Sequence, residues 1–105
     1  MAVIEVTSAE QFEELLRKNA KVAVMFTAAW SGRSRAVSPA FEELSEQPTD
    51  IVFASVDVDG VAPVAQKYGI RTIPTFILFK DGDKSDDVAG ANIPALADKL
   101  KMLAV

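Results

Sequence analysis

The chain reads as one α/β domain over residues 1–105, a mixed five-stranded sheet flanked by four helices. Three observations predict it. Strand-like and helix-like segments alternate through the first half, which favours parallel pairing because crossovers supply helices to cover both faces of a sheet. The run Val22–Thr27 is almost continuously apolar, the pattern of a strand buried on both sides. Near the end, Asp81-Gly82-Asp83 separates two strand-like runs as a hairpin signal, so the last two strands are antiparallel.

Each element has its own reason. Residues 3–6 form a short first strand. Thr7 and Ser8 then offer capping oxygens, with Glu10 and Gln11 three residues after each, and Phe12, Leu15 and Leu16 make an apolar stripe at helical spacing. The first helix is predicted over 9–19 and the central strand over 22–27. A second helix begins near Ser34 and turns Val37, Phe41 and Leu44 inward, while Pro39 removes a backbone donor and kinks it. Residues 51–58 form a third strand, and 61–68 a short helix stopped by Gly69. Strands over 75–80 and 84–89 flank the hairpin turn. Asn92 caps the last helix, which faces the core with Leu96, Leu100 and Leu103.

Composition narrows the function classes. With 105 residues the chain is large enough for one core and too short for two. Its 50% apolar and 25% charged content is that of an ordinary globular protein. The net charge is -4 with both signs interleaved, which argues against a nucleic-acid partner, since that needs a clustered basic face. No run reaches the ~18–20 apolar residues of a membrane span, and the start lacks the basic-then-apolar pattern of a signal peptide. A cytoplasmic protein without a membrane partner is expected. The chain has no cysteine, which excludes a disulfide framework and leaves the redox compartment open.

Trp30 is followed by Ser31-Gly32-Arg33-Ser34, two small hydroxyl residues at the spacing where many proteins carry a redox pair of cysteines. A buried strand precedes the segment and a helix follows it. Separated features accompany it: Pro39, Val56-Asp-Val-Asp59, Lys67-Tyr-Gly-Ile-Arg-Thr-Ile-Pro74-Thr, Phe79-Lys-Asp-Gly82 and Gly90-Ala-Asn92. From about Ile4 to Leu103 the chain therefore resembles the thioredoxin family, with serine in both cysteine places of the W-C-G-x-C motif. The resemblance implies the thioredoxin fold, a sheet order of 1-3-2-4-5, and a site beyond the end of the second strand.

In that family the first cysteine sits at a helix N-terminus as a thiolate, attacks a substrate disulfide, and is released by the second. Ser31 and Ser34 hold those places here. A serine hydroxyl is not appreciably ionised near neutral pH and forms no disulfide, so dithiol exchange is closed to this chain. Serine catalysis of another kind needs an adjacent base; the sequence has no histidine, and no lysine lies near in sequence. Both serines are therefore expected to be solvent-facing hydroxyls that cap the helix. The resemblance also places a buried aspartate at Met25 and its lysine partner at Ser55. Met25 is read as a space-filling core residue that spares the protein a buried carboxylate. Arg33 stands where many members carry proline.

The same resemblance implies a surface for extended protein segments, made by Trp30, Gly32, Arg33, Ile73, Pro74, Gly90 and Ala91. Trp30 would be the contact platform, and a cis Pro74 would leave the Ile73 backbone free to pair with a peptide. Gly90-Ala91 also reads as a plain turn. Asp57-Val-Asp59-Gly60 matches part of a calcium loop, but a third acidic residue is missing and Gln66 stands where the closing glutamate would. No metal or cofactor is expected; Asp57 and Asp59 should end a strand and cap the next helix. Asp83, Asp86 and Asp87 read as a solvated sheet edge. Three functions remain open: a redox-inactive module that binds protein segments, an engineered Cys-to-Ser form of a protein-disulfide reductase, and a structural scaffold. Thioredoxin reductase is a partner only for a cysteine-bearing parent.

Overall fold

The computed structural model describes residues 2–105. Its elements are β1 (Val3–Val6), α1 (Ala9–Lys18), β2 (Lys21–Thr27), α2 (Gly32–Ser45), β3 (Val52–Asp57), α3 (Ala62–Lys67), β4 (Thr75–Lys80), β5 (Asp83–Ala89) and α4 (Ile93–Ala104). The sheet runs β1-β3-β2-β4-β5. β3 lies parallel to β1 and β2, and β4 antiparallel to β2 and β5. This is the thioredoxin fold. Most boundaries fall within two residues of the sequence expectation; α2 starts two residues earlier, at Gly32, because Ser31 rather than a later residue caps it.

The central strand shows why its sequence is apolar throughout. Side chains of a strand alternate between faces, and both faces of β2 are covered. Ala23 and Met25 join Phe41, Phe53, Phe76, Leu96 and Leu100 in the core beneath α2 and α4. Val22, Val24 and Phe26 join Phe12, Val56, Val64 and Phe79 in the core beneath α1 and α3. Edge-to-face ring pairs order each side, Phe41 with Phe53 at 5.3 Å and Phe12 with Phe79 at 5.7 Å between centroids. Truncating any of these fully buried rings should cost about 3–5 kcal/mol.

Helix ends follow local chemistry. The Gln11 N–H donates to Ser8 Oγ at 3.1 Å, and Gln11 Oε1 accepts from Thr7 N at 2.7 Å, so the two ends of the first turn satisfy each other. The Ala95 N–H donates to Asn92 Oδ1 at 3.1 Å, capping α4. α2 continues through Pro39, whose missing N–H leaves the Arg35 carbonyl without its usual donor four residues on. At the hairpin, Asp81 and Gly82 have φ of 54° and 87°, the two positive values a type I′ turn requires. β5 is exposed except at Asp86 and Val88. Two of its three carboxylates are engaged by lysines, Asp86 by Lys99 at 2.7 Å and Asp87 by Lys84. The Lys99 ammonium bonded to Asp86 holds that carboxyl below its ordinary range, with a smaller contribution from the Asp87 N–H. Among the described residues no helix is long and apolar enough to cross a membrane.

Candidate functional site

Strand registers bring four segments to one end of the sheet. Thr27, the last residue of β2, lies beside Asp57 of β3; Phe26 pairs with Thr75 at the start of β4, and Thr75 with Ala89 at the end of β5. The chain entering or leaving each of these points must meet there. Backbone bonds join the segments: Val58 N–H donates to Thr27 O at 2.9 Å, and Gly90 N–H to Pro74 O at 2.8 Å. The Ile73–Pro74 peptide is cis, and Gly90 has φ of 91°, a conformation in which a side chain would be strained. Thr75 Oγ1 donates to Thr72 O at 2.6 Å, folding the loop ahead of β4 on itself.

The motif lies between β2 and α2. Ser31 has non-helical backbone angles, and its Oγ accepts the Ser34 N–H at 3.2 Å. Its own N–H donates to Ala28 O at 3.0 Å and its carbonyl accepts from Arg35 N at 3.3 Å. Ser31 is thus the N-cap, as its residue type suggests. The expectation that both serines face solvent is corrected: Ser31 is 6% exposed and Ser34 1%. Ser34 is no cap. It is one helical step from Val37 and two from Phe41, so it starts the stripe that packs inward. Its Oγ is buried without a hydrogen-bond partner among the described residues.

Around this pair, Trp30 is 67% exposed, and its Nε1 donates to Asp59 Oδ2 at 2.8 Å. Asp59 had been expected to cap α3, and so had Asp57; neither does. The α3 N-cap is Val61, without a side-chain bond, because Asp57 Oδ1 instead accepts the Asp59 and Gly60 N–H groups at 2.8 and 3.2 Å. That turn presents the Asp59 carboxylate to the indole. Gly32, Arg33 and Ala91 are exposed and Ile73 is half-buried. Arg35, which sequence reasoning passed over, donates from Nη1 to Ala29 O at 2.6 Å and braces the loop carrying Trp30.

Beneath the motif, Met25 is 4% exposed and lies beside Ser55 across the β2–β3 ladder. A cleft of about 230 Å³ opens there, lined in part by Met25, Ser38, Phe41, Glu42 and Ser55. Neither Met25 nor Ser55 carries a group that ionises near neutral pH. Among the described residues no cluster of three carboxylates could hold a metal ion.

A sequence model of the family described as Thioredoxin matches residues 3–102. The chain belongs to the thioredoxin family. Thioredoxin-2 of Pyricularia oryzae is 46% identical to it over 96 residues, 91% of this chain, and the chain spans 56% of that protein's length. Thioredoxin Asp f 29 of Aspergillus fumigatus is 40% identical over 102 residues, covering 94% of this chain and 93% of that one. The solved structure of Plasmodium falciparum thioredoxin superposes with a TM-score of 0.94 at 38% identity, over 97% of this chain and 100% of the other. In this thioredoxin-family chain the motif loop, the loop ahead of Pro74 and the Gly90 turn lie together at one end of the sheet, where the family resemblance puts a peptide groove, and serine oxygens stand at positions 31 and 34.

Proposed function

We propose that this chain is the cysteine-free form of a protein-disulfide reductase, and that as it stands it binds extended protein segments in the groove without exchanging disulfides. The observation that carries the reading is Ser34. A buried hydroxyl left without a partner costs about 1–3 kcal/mol, whereas a thiol is a weak donor that packs as a small apolar group. The surroundings of position 34 therefore suit sulfur better than oxygen. Ser31 holds the N-terminal end of α2, where backbone donors and the helix dipole would favour a thiolate.

With two hydroxyls in place, no nucleophile ionises near neutral pH and no sulfur–sulfur bond can form. The contact surface does not depend on sulfur. An exposed indole, the Ile73 main chain beside Pro74 and the Gly90–Ala91 rim suit a short strand added in extended conformation. Protein segments are the partners of this form, and thioredoxin reductase the further partner of a cysteine-bearing one.

A second reading, natural loss of the chemistry, is favoured by Met25 and Ser55, neither of which can take the part of the buried aspartate and its lysine partner that the family resemblance puts at these positions. One experiment tests the first reading: the Ser31→Cys/Ser34→Cys variant should reduce insulin-type disulfides, and a folded but inert variant would reject it.

A further inference from the structure

Three of the four arginines of this acidic chain, Arg33, Arg35 and Arg71, lie in the segments that meet at the motif end of the sheet, and the fourth, Arg17, lies in the last turn of α1, at the other end. Arg33 is the second residue of α2, in the turn where the helix presents the positive end of its dipole. The Arg35 guanidinium folds back over the motif: Nη1 is 2.6 Å from Ala29 O, and Nη2 lies 4.0 Å from where a Cβ on Gly32 would be. Arg71 sits in the loop between α3 and β4, three residues before Pro74. All three side chains are exposed.

The carboxylates at this end are already engaged. Asp59 accepts from Trp30 and Asp57 from two backbone N–H groups, and both lie on the β3 side of the motif. The loop ahead of Pro74 and the Gly90 turn lie on the other side, towards β4 and β5, joined by the Gly90 N–H to Pro74 O bond. Asp87 shares a cleft with Arg71 but is paired with Lys84. Arg33, Arg35 and Arg71 thus set three exposed guanidinium groups at this end of a protein whose net charge is -4, while its hydrogen-bonded carboxylates Asp57 and Asp59 lie towards β3.

We infer that the groove selects extended protein segments bearing carboxylate side chains next to the residue that lies over Ser31, with Arg33 and Arg71 as the selecting groups. The inference rests on the groove being a binding surface. Guanidinium–carboxylate pairs are charge-assisted and directional, and at an exposed rim they act on partner choice and encounter rate more than on total affinity. Arg35 contributes charge but also braces the Trp30 loop, so it does not report on selection alone.

Trp30 is the sole tryptophan, which makes its fluorescence a probe placed at the groove. Three peptides of equal length with a central serine, flanked by glutamate, glutamine or lysine, are titrated at low and high salt. The glutamate peptide should bind roughly tenfold more tightly than the glutamine peptide, with lysine weakest and the spread shrinking in high salt. Arg33→Gln/Arg71→Gln should bring the ratio of glutamate-peptide to glutamine-peptide affinity, both measured on the same variant, to within about twofold of one. Equal affinity for all three peptides, or a preference for lysine, would overturn the selectivity and leave the groove standing. Failure of all three to bind would overturn both.

Discussion

Trp30 Nε1 donates to Asp59 Oδ2 at 2.8 Å while two-thirds of the tryptophan surface stays in solvent. The single polar atom of the ring is satisfied by a loop 29 residues away, so the indole is held in place without being buried. A ring oriented this way offers a large apolar face at little ordering cost to an incoming chain.

Trp30→Ala should therefore weaken the binding of protein segments several-fold while lowering stability by less than about 1 kcal/mol, since little core packing is lost. Asp59→Ala should leave the ring in place but loosen it, seen as a fall in tryptophan fluorescence anisotropy at unchanged unfolding midpoint. Isothermal titration and urea melts of both variants check this. If Trp30→Ala unfolds the protein and binding per folded molecule is unchanged, the residue is part of the core and no platform exists.

The two motif serines should respond in opposite ways to alanine. Ser31→Ala removes the acceptor for the Ser34 N–H and should cost about 1 kcal/mol, the usual loss for an N-cap. Ser34→Ala removes a hydroxyl that has no partner, so stability should hold or rise by up to about 1 kcal/mol. Urea melts with a common m-value decide it. A loss at Ser34 equal to that at Ser31 would mean that the Ser34 hydroxyl is satisfied in solution.

The elements were legible because their evidence is local, whereas the strand order was implied only by the family resemblance. The apolar run of β2, the capping oxygens at Ser8 and Asn92 and the Asp81-Gly82 turn each act within a few residues, and all formed as read. The motif's place at the end of β2 was legible for the same reason. What escaped reading depends on distant partners. Local rules sent Asp59 to the α3 cap, whereas the fold gives its carboxylate to Trp30. The spacing 34-37-41 did announce that Ser34 faces inward, but its hydroxyl pointed to a cap, and the neighbouring Ser31 held that role. Arg35 carried no signal of its own, since a brace to Ala29 exists only once the turn is formed.

The Asp86–Lys99 pair ties β5 to α4 and should make a small, pH-dependent contribution. Folding lowers the Asp86 pKa, chiefly through the Lys99 hydrogen bond. The stabilisation is therefore present above the carboxylate's unfolded value, about 3.9, and is lost as pH falls through the lower folded value. Both side chains are substantially exposed, at 41% and 32%, which keeps the contribution under about 1 kcal/mol. Asp86→Asn should be slightly less stable than the parent at neutral pH and equal to it in strong acid. A difference that persists at the acid end would assign the effect to packing rather than charge.

The chain itself should reduce no protein disulfide above a buffer blank, with or without thioredoxin reductase and NADPH, because it has no sulfur to cycle between oxidation states. Ser31→Cys/Ser34→Cys should introduce that chemistry only in part. The α2 N-terminus and nearby Arg33 favour a thiolate at position 31, and position 34 is a buried place with no bond to lose. Yet Met25, beside Ser55 under the motif, can accept no proton from the resolving thiol. Adding Met25→Asp should raise turnover further and lower stability, since a carboxylate in that core is desolvated and its pKa rises. Insulin reduction followed by turbidity, with urea melts of each variant, measures both effects. If the triple variant is folded and no faster than the double one, Met25 does not limit proton transfer, and the case for natural loss of chemistry loses its main support.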